Sequence, residues 1–144
     1  MIDENSGKYL FRKLLGYLEV LDFDSIAELL APDAEIQFPF GADSAPRIGR
    51  DRIVDYLRVE MGGFVKSMKF NVEREFECAD PAWTIAEYSS VGVLTSGVCY
   101  ENRYVGLLQA RNGKVAIFRE YFNPVRTAEA AGAGASSASS TQSV

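Results

Sequence analysis

The sequence predicts an α+β domain in which three helices in the first half of the chain precede a long antiparallel sheet. Up to about residue 60 the apolar residues recur at three- and four-residue spacing, the period of one helical face. From Lys66 onward the spacing becomes two, the period of a strand with one buried face. Turn signals, above all Asn112-Gly113, separate the later runs. Helices are therefore expected to cover one face of a curved sheet.

The three helices follow from local patterns. Residues 8–21 carry a leucine-rich amphipathic stripe, which predicts the first helix. A second, short helix is predicted over 24–30, because Pro32 stops it. The third is predicted over 50–60, where the Gly62-Gly63 pair ends the helical pattern.

The strands follow from alternation and from turn residues. A short strand is predicted over 34–40, and the Gly-, Ala- and Pro-containing stretch up to Gly49 is predicted to be a loop. Four longer runs with a period of two then predict an antiparallel meander, with strands at about 67–78, 83–94, 99–110 and 114–123.

The chain is predicted to form one domain over residues 1–126. A chain of 144 residues is long enough for one hydrophobic core. Residues 127–144 contain only small or polar side chains and no aromatic, so we expect a disordered tail there. Residues 1–8 are polar and no long apolar segment follows, which predicts a cytoplasmic protein without a membrane partner.

The composition excludes several classes of function. The formal net charge of −5 argues against a nucleic-acid partner. The sequence has no histidine, which excludes Ser-His-Asp and Cys-His nucleophile systems and His-ligated metal sites. Cys78 and Cys99 form neither a disulfide framework nor a CxxC pair, and they are predicted to be apolar filling. We expect no metal and no cofactor, so proton transfer falls to Asp, Glu, Tyr, Lys or Cys.

Three phrases of the sequence carry a resemblance to a known family. They are AEIQFPFGADSAPRIGRDRI, WTIAEYSS and YENRYVGLLQARNGKVAIFREYFNP. With the element order, they make residues 8–126 similar to the nuclear transport factor 2-like superfamily, and within it to the SnoaL-like polyketide cyclases and phenazine-biosynthesis A/B proteins. The resemblance implies a cone-shaped sheet around an internal pocket that the three helices close. It also implies a homodimer through the opposite face, which the apolar Val115 and Ile117 are expected to supply.

Glu120 is the first candidate catalytic residue. It shares a face of the last predicted strand with Phe118 and Phe122, because residues two apart lie on one side of a strand. Burial between two phenyl rings would raise its pKa toward neutrality, where a carboxyl group both accepts and returns protons. The alternative is an exposed face on which Glu120 pairs with Arg103. The REYF phrase looks like the family motif whose acidic residue is catalytic, and that acid falls on Glu120.

Glu87 is the second candidate, and it rests on the resemblance. The limonene epoxide hydrolases of this superfamily use an Asp-Arg-Asp set, whose Arg falls on Glu87 and whose first Asp falls on Ser89. The water-activating set is therefore broken here. The same alignment predicts that Glu87, Ser89 and Glu120 face the pocket together, so that two carboxylates serve as acid and base. The alternative places Glu87 at the rim or outside, bonded to an arginine.

Aromatic side chains are expected to line the pocket. Phe38 stands where the ketosteroid isomerases of the superfamily carry their aspartate base, so Phe38 and Phe40 are predicted to form a wall at the pocket mouth. The basic residues Arg47, Arg50, Arg52, Arg58 and Lys66 could bind an acidic substrate at the rim, but they are expected to form a solvated face. The other predicted substrate-binding residues are Tyr17, Tyr56, Trp83, Asn102, Tyr104, Phe118 and Phe122.

These residues and the resemblance predict a cofactor-independent cyclase, isomerase or dehydratase. It would bind an apolar, oxygenated natural-product intermediate, with Glu120 moving a proton and Glu87 or a tyrosine in the complementary role. Two alternatives remain open at this point. One is an enzyme that opens an epoxide, by hydrolysis or by forming a cyclic ether, and the other is a small-molecule-binding module without turnover.

Overall fold

The computed structural model describes residue 3 and residues 5–138 of the chain. Four helices are present in this part: α1 (Gly7–Glu19), α2 (Phe23–Leu29), α3 (Arg50–Glu60) and α4 (Pro124–Ala138). The strands are β1 (Leu30–Gln37), β2 (Arg47–Ile48), β3 (Val65–Glu77), β4 (Trp83–Leu94), β5 (Cys99–Arg111) and β6 (Lys114–Phe122).

All six strands belong to one curved sheet in the order β2-β1-β6-β5-β4-β3. The four long strands form the predicted antiparallel meander, and β5 and β6 are joined at Asn112-Gly113, where both residues have positive φ. Strand β1 pairs with β6 in parallel, which closes the first half of the chain onto the last strand. The predicted α+β class, with helices on one face of a curved sheet, is confirmed.

Helix α1 supplies much of the core between helices and sheet. Its buried stripe contains Leu10, Leu14 and Leu18 at the predicted four-residue spacing. Ser6 caps its N-terminus, because the hydroxyl accepts a hydrogen bond from the Tyr9 amide at 3.3 Å. The leucine stripe follows the pattern predicted from the sequence.

A bulge in β6 changes the side on which one residue lies. Gln109 pairs with Ile117 and Ala110 with Val115, so Ala116 is an extra residue without a partner. Val115 is consequently turned into the core and is 0% exposed. The prediction that Val115 lies on the outer face with Ile117 is wrong, because alternation breaks at the extra residue.

The prediction of disorder from residue 127 is also wrong as far as residue 138. Pro124 begins α4, and alanine-rich sequence forms helices readily because alanine loses no side-chain entropy. Ala130 is buried against the body of the protein, and Thr127 accepts a hydrogen bond from Asn102 Nδ2 at 3.3 Å. The last six positions of the predicted tail lie outside the described residues.

No helix in the described part of the chain combines the length and the apolar character needed to cross a membrane.

Candidate active site

A cavity of about 930 Å³ lies between the helices and the inner face of the sheet. Side chains of α1, α2 and α3 line one side, and β1, β5 and β6 line the other. Helix α4 contributes Thr127, Ala130 and Ala131. Most lining groups are apolar, and the polar or ionisable side chains among them are Asp43, Arg47, Tyr56, Glu60, Thr95, Ser96, Tyr100, Tyr104, Glu120 and Thr127.

Glu120 lies on the inner face of β6 and lines this cavity. The residue is only 9% exposed, and its strand neighbour Phe118 is buried beside it, as the predicted alternation requires. The Tyr88 hydroxyl donates a hydrogen bond of 2.5 Å to Oε2 of Glu120. Oε1 has no hydrogen-bond partner among the described residues, so it is the oxygen available to a molecule in the cavity.

Burial raises the pKa of Glu120 to about 7. Removing the carboxylate from water penalises its charged form, and the hydrogen bond from Tyr88 offsets only part of that penalty by stabilising the anion. Near neutral pH the acid and the carboxylate therefore have similar populations. A group in this state takes and returns protons with little bias, which is what general acid-base catalysis needs.

Tyr88 is held firmly as the partner of Glu120. Its ring stacks on Tyr104, with centroids 5.0 Å apart and planes at 18°, and meets the Phe11 ring edge-on at 5.5 Å. Burial, together with the nearby Glu120 charge, raises the pKa of Tyr88 well above its ordinary value. The phenol therefore stays protonated and acts as a hydrogen-bond donor.

Gly106 provides the space for this contact. It lies on β5 directly opposite Glu120, between the strands that carry the two partners. A β carbon at this position would stand 2.8 Å from the Tyr88 hydroxyl oxygen and 2.6 Å from Cζ of Phe11. A glycine is needed here because Tyr88 occupies the volume that a side chain would fill.

Tyr104 places a second hydroxyl at the cavity. Its oxygen lies 2.7 Å from Oγ of Ser90 on the neighbouring strand. Burial and the charge of Glu120 raise the pKa of Tyr104, so this phenol is neutral at physiological pH. Tyr104 is thus a hydrogen-bonding group beside the same chamber.

Aromatic rings form one wall of the cavity. The ring centroid of Phe38 lies 6.1 Å from that of Tyr56 and 6.4 Å from that of Phe122. These three residues and Phe118 line the cavity. Phe38 provides apolar contact in this wall.

Glu87 does not face the cavity, so the prediction of two carboxylates in one chamber is wrong. On β4 the buried residues are Thr84, Ala86, Tyr88 and Ser90, and Glu87 lies between them on the outer face. Because the side-chain period of a strand is two, an error of one residue exchanges the faces. Ser89 and Trp83 share the outer face with Glu87, and neither lines the cavity.

Two other predicted pocket residues lie outside the chamber. Phe40 is 55% exposed, and its ring packs edge-on against Tyr121 at 5.2 Å, away from the cavity lining. Tyr17 packs at the margin of the core beneath Lys13, whose Nζ lies 5.8 Å from the ring centroid. The predicted aromatic wall thus contains Phe38 without Phe40.

Asn102 is buried, and its polar atoms form hydrogen bonds within the protein. Its Nδ2 donates to the Tyr100 hydroxyl at 2.6 Å and to the Asn123 carbonyl at 3.1 Å. Its Oδ1 accepts from the amides of Arg103 at 2.8 Å and Asn123 at 3.1 Å. Asn102 does not line the cavity, so its predicted role in binding substrate is corrected to fixing the junction between β6 and α4.

Sequence reasoning missed two residues of the site, Tyr88 as the partner of Glu120 and Arg47 in the cavity lining. The inner face of β4 carries Thr84, Ala86 and Ser90 around Tyr88. This face is less apolar than the outer face, which carries Trp83 and Ile85. Hydrophobicity therefore pointed to the wrong face, because small inner residues leave room for the close approach of α1, where Gly7 lies against Thr84. Ala86 on β4 pairs with Gly106 on β5. This match of two small residues is the signal that could have indicated the true register.

No group of three or more Cys, Asp or Glu side chains in the described residues is arranged to hold a metal ion. The lining likewise lacks the glycine-rich turn that would cradle a phosphate group.

Comparisons with known proteins agree with this architecture. An uncharacterised PhzA/B-like protein of Pseudomonas aeruginosa is 29% identical over 130 residues, which are 88% of this chain and 91% of the relative. The crystal structure of a candidate isomerase from Bacillus subtilis is 25% identical, covers 91% of this chain and 96% of its own, and has a TM-score of 0.80. An LEH-like epoxide hydrolase from M. tuberculosis is 18% identical over 84% of this chain and 85% of its own, with a TM-score of 0.67.

The family model of the SnoaL-like domain matches residues 11–118, which include most of α1, all of α2 and α3 and nearly all of the sheet. This match confirms the resemblance drawn from the sequence. The chain belongs to the SnoaL-like family.

Proposed function

We propose that this protein is an enzyme that moves protons within an apolar small molecule, with Glu120 as the general acid-base group. The observation that carries the proposal is the state of Glu120. Its carboxyl group is buried at a large apolar cavity with a pKa of about 7, and one oxygen is fixed by Tyr88 while the other is available to a ligand.

The proposed reaction starts with Oε1 of ionised Glu120. It takes a proton from a carbon next to a carbonyl group, which leaves an enolate and a neutral carboxylic acid. Tyr104 is the group proposed to donate a hydrogen bond to the developing enolate oxygen, since its neutral hydroxyl lies at the cavity. Tyr88 keeps Glu120 in position through Oε2. In this proposal Tyr104 is the group that complements Glu120. The sequence analysis had left either Glu87 or a tyrosine for this role.

The enolate then has three outcomes within one mechanism. Return of the proton to a different carbon gives isomerisation, and transfer of the proton to a departing hydroxyl gives dehydration. Attack of the enolate carbon on a second carbonyl of the same molecule closes a ring, with the proton passing to the new alkoxide. Proton transfer of this kind contributes about 10² to 10⁴ in rate, so the shape of the cavity must supply further acceleration by holding the reactive pose.

The similarity to a candidate isomerase from Bacillus subtilis supports a reaction of this kind, since isomerisation is one outcome of the proposed proton transfer. Hydrolysis of an epoxide is the weaker candidate. The fold is similar to that of an LEH-like epoxide hydrolase, but the inner face of β4 carries Thr84, Ala86, Tyr88 and Ser90, with neither an arginine nor a carboxylate. Glu120 therefore lacks the companion groups that would orient a water molecule.

Exchange of acidic C–H protons tests the proposed function without knowledge of the natural substrate. The protein is mixed with apolar cyclic ketones, including tetralone, in D₂O, and loss of the proton signal next to the carbonyl is followed by NMR. We expect the wild-type protein to accelerate exchange and Glu120→Gln to lose about 10² or more of that rate. Glu87→Gln is the matched control, because it removes a carboxyl group on the outer face.

Two results would count against the proposal. Full activity in Glu120→Gln would assign the exchange to another group. Tight binding of the ketones without acceleration of exchange would favour the binding-module alternative, in which the same cavity holds a ligand without turnover.

We also propose a homodimer that forms through the outer face of the sheet. This face carries exposed apolar side chains, among them Val91 and Val105, and a shallow groove next to Phe40 and Tyr121. It is the face that the resemblance predicted for dimerisation, although Val115 is not part of it.

A further inference from the structure

Arg47 has a guanidinium group that the fold itself does not fully use. Its backbone is fixed in β2, which pairs with β1 at Ile36, and its guanidinium carbon lies 3.6 Å from the centroid of the Tyr56 ring. Nη2 donates to Oδ2 of Asp43 at 2.8 Å. Nη1 is buried and has no hydrogen-bond partner, the one side-chain atom of this kind among the described residues.

An unpartnered donor on a buried cation is costly, because the group has lost water without gaining another acceptor. The side chain of Arg47 is 17% exposed, whereas that of its partner Asp43 is 64% exposed. An ion pair with so exposed a carboxylate is screened by solvent and compensates the cation only weakly. Tyr56 adds a cation-π contact to one face of the guanidinium, but a ring face does not accept the in-plane N–H of Nη1.

The guanidinium belongs to the same chamber as Glu120. Both residues line the cavity, and the rings of Tyr56, Phe38 and Phe122 form the wall between them. Phe122 lies two residues after Glu120 on the same face of β6. A ligand that spans this wall would meet a proton-transfer group at one end and a cation at the other.

We propose that Arg47 binds a carboxylate on the substrate, so that the cavity selects apolar molecules that carry one acidic group. This inference rests on the proposed function of Glu120 and names the class of molecule that the site takes. Arg47 lines the cavity, and the planar N–H donors of a guanidinium suit a carboxylate.

The charges around Arg47 favour a singly charged group over a phosphate. Arg47 is the one positively charged residue among the described residues that line the cavity, and Asp43, Glu60 and Glu120 are acidic. A doubly charged phosphate would meet these carboxylates with only one shared cation to offset them. A carboxylate carries half that charge and faces correspondingly less repulsion.

Pairs of probes that differ only in the acidic group test this inference. Phenylacetic, naphthylacetic and biphenylacetic acids and their neutral amides are titrated by isothermal calorimetry at about pH 6. At that pH the probe acids are ionised while Glu120, with a pKa of about 7, is mostly neutral and repels them least. We expect wild-type protein to bind at least one acid about tenfold more tightly than its amide.

Two substitutions of opposite expected sign make the test specific. Arg47→Gln should reduce the preference for the acid to less than about twofold while leaving the affinity for the amide nearly unchanged. Asp43→Asn removes the competing negative charge and keeps an oxygen that accepts from Nη2, so it should increase the preference. A merely structural role of Arg47 does not predict an increase in Asp43→Asn. If Arg47→Gln proves unfolded by circular dichroism, the sign of the Asp43→Asn effect decides.

Equal binding of acids and amides by wild-type protein, or a preference that survives Arg47→Gln, would overturn the inference. So would the absence of binding for all three acids. Glu120→Gln should keep the preference, because its side chain is not the proposed partner of the carboxylate. The two proposals fail separately. Loss of the preference in Arg47→Gln would support the carboxylate site. Normal proton exchange in Glu120→Gln would reject the catalytic role of Glu120 even in that case.

Discussion

The hydroxyl of Tyr88 on β4 lies 2.5 Å from Oε2 of Glu120 on β6, although β5 runs between these strands. The contact spans 32 residues of sequence. It is possible because Gly106 on β5 leaves the intervening position without a side chain. The candidate catalytic group is therefore set by three adjacent strands.

Substituting Tyr88→Phe should raise the pKa of Glu120 further above its value of about 7. The hydrogen bond from the phenol stabilises the ionised carboxylate, so its loss favours the neutral acid. The pH profile of ketone proton exchange, which rises as Glu120 ionises, should move to higher pH. The ¹³C chemical shift of the labelled Glu120 carboxyl group gives the same pKa without turnover. An unchanged titration midpoint would show that this hydrogen bond does not tune Glu120.

Substituting Gly106→Ala should destabilise the protein by about 1–3 kcal/mol, because the new methyl group overlaps Phe11 and the Tyr88 hydroxyl. Urea denaturation measures the change in the free energy of unfolding. Gly16→Ala is the matched control, since a β carbon at Gly16 in α1 meets no atom within 4 Å. That change should stabilise the protein by about 0.4–1 kcal/mol, as expected for a glycine in a helix. Equal effects at both glycines would contradict the steric explanation.

The ionisation of Glu120 should make the protein less stable as pH rises. In the folded state its pKa is about 7, above the ordinary value of 4.5 that we expect after unfolding. Between these values the folded protein holds the proton more tightly than the unfolded chain, so the free energy of unfolding falls with pH. The total loss from this residue is about 3 kcal/mol, complete once the pH passes the folded pKa.

Urea denaturation between about pH 5 and pH 8 checks this dependence. Glu120→Gln cannot ionise, so its stability relative to wild type should increase across this interval. Glu87→Gln should follow the wild-type curve in parallel, because that residue is on the outer face. Parallel curves for wild type and Glu120→Gln would mean that Glu120 titrates like an exposed glutamate.

The proposed dimer predicts that Val105→Lys yields monomers. Val105 is exposed on the outer face of β5, and a lysine there would place a charge within the proposed contact. Light scattering coupled to size-exclusion chromatography reports the mass of each form. Val59→Lys is the control, because Val59 is an exposed valine on α3. A wild-type monomer at micromolar concentration would contradict the proposal.

The position of Glu120 was predictable because the information is local. Phe118, Glu120 and Phe122 follow the bulge at Ala116, and the short-range alternation of a strand puts all three on one face. The first helix and the hairpin at Asn112-Gly113 were predictable for the same reason, since neighbouring residues carry the signal.

The register of β4 was not predictable in this way. Both of its faces carry apolar side chains, and the inner one has smaller residues where α1 packs against it. Packing against Phe11 and Gly106 decides that Tyr88 points inward and Glu87 outward. The burial of Arg47 likewise follows from the ring of Tyr56, which comes from a different element.

By itself the sequence determined the order of helices and strands, the SnoaL-like resemblance and the face that carries Glu120, because each depends on residues close together in the chain. The tertiary structure decided which side chains meet Glu120, that a fourth helix follows β6, and that Arg47 lines the chamber. These outcomes depend on strand register and on packing between distant segments. Strand register and long-range packing are determined by the free energy of the whole fold, so no local sequence pattern predicts them.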